Sequence, residues 1–233
     1  MACVAPHAGY EYSGAVAAHS YLHVSSLRDP ELLVVIAPNH YGIGSGISSC
    51  DGGAWQTPLG LMQVDSTDTR RLAEATGIIE FDPVSHRHEH SLEVQLPFLQ
   101  GLYGNKIPLV PISLAFQDIG TAIEIGKGLK SILEGRKAVL VASSDLTHYE
   151  PAEMARKKDL ELIERVESLD TEAFYSTLER SGITACGFGA IASVMEAAKL
   201  LGFRKGELLK YANSGDTTGD NSQVVGYAAI RFV

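Results

Sequence analysis

Nothing constrains this chain more than Leu32 to His40, LLVVIAPNH: five consecutive branched apolar residues, then Ala37-Pro38, then Asn39-His40. Such a run has no polar face to turn to solvent. It reads as a strand buried on both sides, the condition of a parallel sheet covered by helices. Pro38 has no amide hydrogen and closes the ladder. His40 then projects beyond the carboxyl edge, where open α/β sheets place their ligands. Apolar strand, proline and histidine recur at Val4-Ala5-Pro6-His7, and a third apolar run, in VLVASSDLTH at 139 to 148, leads into Asp145 and His148. Three strand ends delivering imidazoles to one rim exceed what packing requires and point to a site.

The rest of the chain punctuates as α/β. Ser13 is expected to cap a small-residue helix from Ala15 to about Val24. Residues 46 to 65 read as a hairpin-like excursion with turns at Asp51-Gly52-Gly53 and Thr57-Pro58-Leu59-Gly60, followed by a helix from about Thr67 to Thr76 that Gly77 stops. A helix is expected from near Ser91 to Gly101 or Gly104, with Pro97 either bending it or sitting where its neighbours compensate. Further helices are expected over 118–134, 153–167, 171–180 and 187–201, with strands over 107–114, 138–142, 208–213 and 224–232. The glycines of YGIGSG, at 42, 44 and 46, do not make a dinucleotide loop, because Ile47 to Cys50 reads as strand where that motif needs a helix.

At 233 residues and 45% hydrophobic content the chain can bury the core of one α/β domain. A net charge of -9 opposes a nucleic-acid or anionic membrane partner by long-range repulsion. No apolar run approaches the ~20 residues that span a bilayer, and no secretory signal opens the chain, so a cytoplasmic location is expected. Cys3, Cys50 and Cys186 are odd in number and scattered, unlike a disulfide framework.

His7 and His40 lie one strand-helix-strand unit apart. A right-handed crossover would bring both to one rim on adjacent strands, where imidazoles suit Fe, Zn or Cu. Cys186 stands at the entry of a predicted helix. There the helix dipole would lower its thiol pKa, while a small buried hydrophobe fits the position equally well. Asp145 either orients an imidazole or caps a turn. His148, with an ordinary pKa near 6.5, suits a general acid or base. Glu89 and Glu93 favour the dipole of the helix they open. Of His86, His88 and His90, two are expected to be solvated. His19 and His23 lack the Glu of an H-E-x-x-H motif and read as surface or packing residues.

Five blocks in order, PHAGYEYSG (6–14), APNHYG (37–42), EHSLEVQLPF (89–98), SSDLTHY (143–149) and ACGFGA (185–190), resemble the Memo family, known in prokaryotes as AmmeMemoRadiSam system protein B. The resemblance covers nearly the whole chain. It implies a single domain over 1–233 with a central, mostly parallel mixed sheet flanked by helices, similar to class III extradiol ring-cleavage dioxygenases. It also implies a further N-terminal segment ahead of the first strand, absent here. By the same resemblance His7, His40 and Cys186 are metal ligands, Asp145 and His148 lie just outside them as catalytic residues, and Tyr10, Asn39, Glu89, His90 and Glu93 surround the pocket.

Where the dioxygenases use a carboxylate, this chain has Cys186, a softer donor that shifts preference toward Cu(I), Zn or electron-rich Fe(II). One transition-metal ion is therefore expected, Fe(II) or Cu(I) ahead of Zn, and ring cleavage is an analogy of fold only. Three functions remain open: a mononuclear metalloprotein with redox or oxygen-linked chemistry, a binding module that kept the pocket without turnover, and a metal-free thiol enzyme using Cys186 with His148 and Asp145. The resemblance further implies a small-molecule or peptide substrate and radical-SAM and AMMECR-type protein partners.

Overall fold

The structure is a computed structural model describing residues 1–233. In chain order its elements are β1 (Ala2–Ala5), α1 (Tyr10–Val24), β2 (Leu32–Pro38), β3 (Ile47–Ser49), β4 (Ala54–Thr57), β5 (Gly60–Gln63), α2 (Ser66–Thr76) and β6 (Glu80–Phe81). A 3-10 turn at Pro83–His86 leads to α3 (His90–Glu93), α4 (Leu96–Tyr103), β7 (Leu109–Leu114), α5 (Ile119–Leu133), β8 (Ala138–Ser143) and β9 (His148–Glu150). The chain then runs through α6 (Ala152–Glu167), α7 (Thr171–Ser181), α8 (Phe188–Leu200), β10 (Gly206–Asn213), α9 (Gly215–Thr218) and β11 (Val224–Phe232).

One mixed sheet has the order β10-β11-β1-β8-β2-β7-β3-β6, with β9 paired to β11 and the β4–β5 hairpin separate. Its centre, β1-β8-β2-β7, is parallel throughout, and β11 and β3 flank it antiparallel. Every residue of β1, β2, β7 and β8 is buried, as their largely apolar runs require, including the polar Ser113 of β7 and Ser143 of β8. Alternate residues face opposite layers. Val4, Val34, Ile36, Leu140 and Ile112 pack in the larger core with residues of α2, α5, α7 and α8. Cys3, Leu33, Val35, Val139 and Val141 pack in the other with Ala17 and Tyr21 of α1 and Leu96 and Leu99 of α4. Each fully buried aliphatic side chain contributes roughly 1.5–3 kcal/mol, so the central strands fix the frame and the loops at their carboxyl ends are held by it.

Sequence and structure diverge at four places that bear on the site. β1 and β2 are not adjacent: β8 lies between them, so its carboxyl end sits between His7 and His40. The helix expected from Ala15 begins at Tyr10 after Gly9, and the Ser13 hydroxyl, inside the helix, donates back to the Ala8 carbonyl at 2.8 Å instead of capping. The single helix expected from near Ser91 is broken into α3 and α4, and Pro97 does not bend it but takes the compensated alternative, the first turn of α4, where its missing amide costs no hydrogen bond. Finally, β9 is a three-residue strand starting at His148, too short to read from periodicity.

Candidate metal centre

His7 follows β1 and is buried. Its Nδ1 lies 2.9 Å from Ser143 Oγ, at the end of β8. That hydroxyl donates its single proton to the Ser91 carbonyl at 2.6 Å and accepts from Gln95 Nε2 at 2.7 Å. With its donor used, Ser143 is an acceptor toward His7, so Nδ1 carries the ring proton and Nε2 keeps a free lone pair. Gln95 is itself fixed, its Nε2 donating to the Pro6 carbonyl and its Oε1 accepting from the Tyr21 hydroxyl at 2.5 Å. The relay Tyr21–Gln95–Ser143 thereby sets the tautomer of His7. Burial pushes the His7 pKa down to about 4, against the pull of Asp145, so the ring is neutral at pH 7.

His40, just beyond β2, is held from its other side. Glu89 receives the His40 amide at 2.6 Å and stands 2.9 Å from His40 Nδ1. It also accepts the Ser91 amide as the cap of α3. Burial alone would raise the Glu89 pKa, but hydrogen bonds from His40 and Ser91 outweigh it and hold the carboxylate at about 2. An ionised carboxylate only accepts, so His40 Nδ1 is the protonated nitrogen and Nε2 is presented, the orientation of a carboxylate–histidine–metal arrangement. The His7 and His40 rings stand 5.2 Å apart, nearly perpendicular.

Cys186 Sγ lies 3.1 Å from His7 Nε2 and accepts the Asp145 amide at 3.3 Å. Of the two readings open for it, activation by a helix N-terminus and burial as a small hydrophobe, the second matches: α8 starts at Phe188 with Gly187 as cap, and burial, with Asp145 adding to it, pushes the thiol pKa well above its ordinary value. Gly187 lets the loop close, since a Cβ there would run into the Ser143 carbonyl and meet Ser144 Cβ at 2.9 Å. Asp145 does not orient His148. Its Oδ1 accepts the amides of His7 and Ala8 at 2.8 and 3.3 Å, because insertion of β8 beside β1 places it against the His7 loop.

His148 Nδ1 is 3.0 Å from the Thr184 carbonyl, which can only accept, so its Nε2 is the free nitrogen. His90, the first residue of α3, stacks on His40 with ring centroids 5.1 Å apart and lies 5.6 Å from His7. Donor atoms of His7, His40 and His90 fall within 4.8 Å of one another, as do those of His7, Asp145 and Cys186. The other expected pocket residues are less central. The exposed Tyr10 donates its hydroxyl to the Val94 carbonyl and packs on Phe98, Asn39 ties its own loop through Gly42 and Ile43, and Glu93 is exposed. Of the histidine trio His88 and His90 are exposed, whereas His86 is buried against Trp55.

A profile of the Memo family, described as Memo-like protein, matches residues 1–231. The chain belongs to the Memo family. It is 47% identical to a MEMO1 family protein of Methanopyrus kandleri over 98% of this chain and 82% of that protein, and 46% identical to one of Nitrosopumilus maritimus over 99% and 83%. An uncharacterized protein of Escherichia coli K12, JW3007, shares the fold with a TM-score of 0.61 at 14% identity, covering 98% of both chains. No helix of this Memo-family chain is long and apolar enough to cross a membrane.

The donor types suit a metal ion, and His7 belongs to both groups of close donors. Two neutral imidazoles with free Nε2 atoms and a sulfur are borderline-to-soft ligands suited to Fe(II), Cu(I) or Zn(II). Nitrogen and sulfur on one tetrahedral ion sit about 3.5 Å apart, so the 3.1 Å pair needs to open by only a few tenths of an ångström, whereas the sulfur lies outside the group of mutually close donors that holds His40, and those two must move toward each other to share an ion. The supporting residues Ser143, Gln95 and Tyr21 were not singled out by sequence, and Ser91 only as the start of a helix. Gln95 offered one signal: an amide within the apolar stretch that becomes α3 and α4 is costly to bury unless something uses both its ends.

Proposed function

We propose that this Memo-family protein binds one transition-metal ion through Nε2 of His7, Nε2 of His40 and the Cys186 sulfur, with Fe(II) or Cu(I) preferred to Zn(II), and that the centre serves redox or oxygen-linked chemistry on a small molecule. The observation carrying the reading is the fixed tautomer of His7, whose lone pair faces the Cys186 sulfur at 3.1 Å. When bound, such an ion supplies a Lewis acid and a one-electron centre. The chain's own residues do the rest: Ser143 and Glu89 hold the imidazoles, Asp145 ties down the backbone of the His7 loop, and His148 Nε2 is the proton carrier. A metal-free thiol enzyme is disfavoured, because burial keeps Cys186 protonated and its neighbouring base is His7, not His148.

Anaerobic isolation followed by metal analysis tests the reading. Substituting Cys186→Ser is expected to lower Fe(II) or Cu(I) affinity at least about tenfold, by loss of a thiolate donor. Unchanged affinity removes Cys186 from the site. Oxygen uptake by the metal-loaded protein with candidate substrates then separates an enzyme from a binding module.

A further inference from the structure

His90 has no task in that three-donor centre, yet it stands beside it. We propose that His90 is a fourth, exchangeable ligand to the same ion, closing the coordination sphere until an exogenous ligand displaces it. The inference rests on the reading that His7, His40 and Cys186 hold the metal.

Three observations carry it. Nitrogens of His7, His40 and His90 already lie within 4.8 Å of one another. Two nitrogens bound to one tetrahedral ion are about 3.4 Å apart, so a movement of at most about 1.5 Å suffices, and the side chain of His90 is half exposed on a four-residue helix. Second, His90 is oriented by the residue that orients His40. Its Nδ1 lies 3.7 Å from Glu89 Oε1, the oxygen paired with His40 Nδ1, and the two rings are parallel to within 10°. Both Nε2 edges therefore lie away from that carboxylate. Third, neither nitrogen of His90 hydrogen-bonds to the protein: 3.7 Å is beyond a hydrogen bond, so no local structural role explains gathering a third imidazole against two others.

The chemical consequence follows from coordination number. Zinc-type sites with four protein ligands are closed and structural, and those with three leave a position for substrate. A half-exposed fourth imidazole allows both states, guarding an oxidisable thiolate centre when no ligand is present.

Zn(II) alone, loaded into the full-length chain, provides the test through X-ray absorption at the zinc edge. The expected shell is three imidazole nitrogens and one sulfur for wild type, falling to two nitrogens, one sulfur and a water oxygen in His90→Ala, with Zn(II) affinity lowered about 3- to 30-fold and the third imidazole signal restored by added free imidazole. The exposed position of His90 lets the variant fold, which circular dichroism checks. Two imidazoles and one sulfur in wild type and variant alike overturn the role of His90 and leave the three-donor centre standing. A shell without sulfur, unchanged in Cys186→Ser, overturns the centre and this inference with it.

Discussion

His7 Nε2 and Cys186 Sγ meet at 3.1 Å although 179 positions separate them in sequence. The end of β8 brings them together: Ser143 grips the far nitrogen of His7, and two residues on the Asp145 amide donates to the sulfur while its carboxylate takes the His7 amide. A strand inserted between the two histidine-bearing strands is thus the platform on which the site is assembled.

If Ser143 sets the His7 tautomer, its loss acts on metal binding more than on folding. Ser143→Ala removes the acceptor of His7 Nδ1 and of Gln95 Nε2, freeing the imidazole to turn and to exchange tautomers. Metal affinity is expected to fall about 10- to 100-fold, the usual cost of losing a partner behind a ligating histidine. Competition with a chromophoric chelator measures it, and an affinity within threefold of wild type would show that the relay does not orient the ring.

Gly187 tests the closure of the Cys186 loop. A methyl group there collides with the Ser143 carbonyl, a backbone atom of a buried strand that cannot yield cheaply. Gly187→Ala is expected to cost about 1–3 kcal/mol in urea unfolding, as overpacking does. It should also weaken metal binding by carrying the sulfur away from His7. Unaltered stability together with unaltered binding would mean the loop has room that the close approach denies.

The sheet's central strands were legible because a strand buried on both faces leaves an apolar run that no other element explains, as at Leu32–Ile36 and Val139–Ala142. The helix stops at Gly77 and the hairpin turn before Gly60 were legible from turn chemistry. Strand order was not, since a sequence-adjacent pair with a helix between gives no hint that β8 will be inserted. The site divided along the same line. Residues at strand ends, His7 and His40, announce themselves by position, whereas Ser143 and Gln95 act through long-range hydrogen bonds that leave no periodic trace. For Cys186 the sequence left activation by a helix terminus and burial as a small hydrophobe in balance, because position along the chain does not reveal the packing that raises the thiol pKa.

His148 separates ligand from proton carrier. Its Nδ1 is engaged by the Thr184 carbonyl, and it belongs to neither group of clustered donors. His148→Ala is therefore expected to bind metal with wild-type affinity, within about threefold, while any turnover is lost by 100-fold or more, the range attributed to a general acid or base. Release of the metal by this substitution would make His148 a ligand instead.

His86 supplies the pH dependence. Both its ring nitrogens are buried without a protein partner, and the ring stands edge-on to Trp55 at 5.4 Å. Burial pulls its pKa down from 6.5 to about 4, with Asp82 and Glu89 opposing. The folded state therefore resists protonation that the unfolded chain accepts. Its share of stability is fully present above pH 6.5 and is lost as pH falls toward 4, at about 1 kcal/mol per pH unit. His86→Phe, which puts an apolar ring in the same apolar surroundings, should match wild type or slightly exceed it at pH 7. Between pH 6.5 and 4.5 it should lose less stability than wild type by about 2 kcal/mol, read from urea midpoints at each pH. Since His7 titrates equally in both proteins, the difference isolates His86, and parallel pH profiles would show that the buried imidazole meets a compensating partner on protonation.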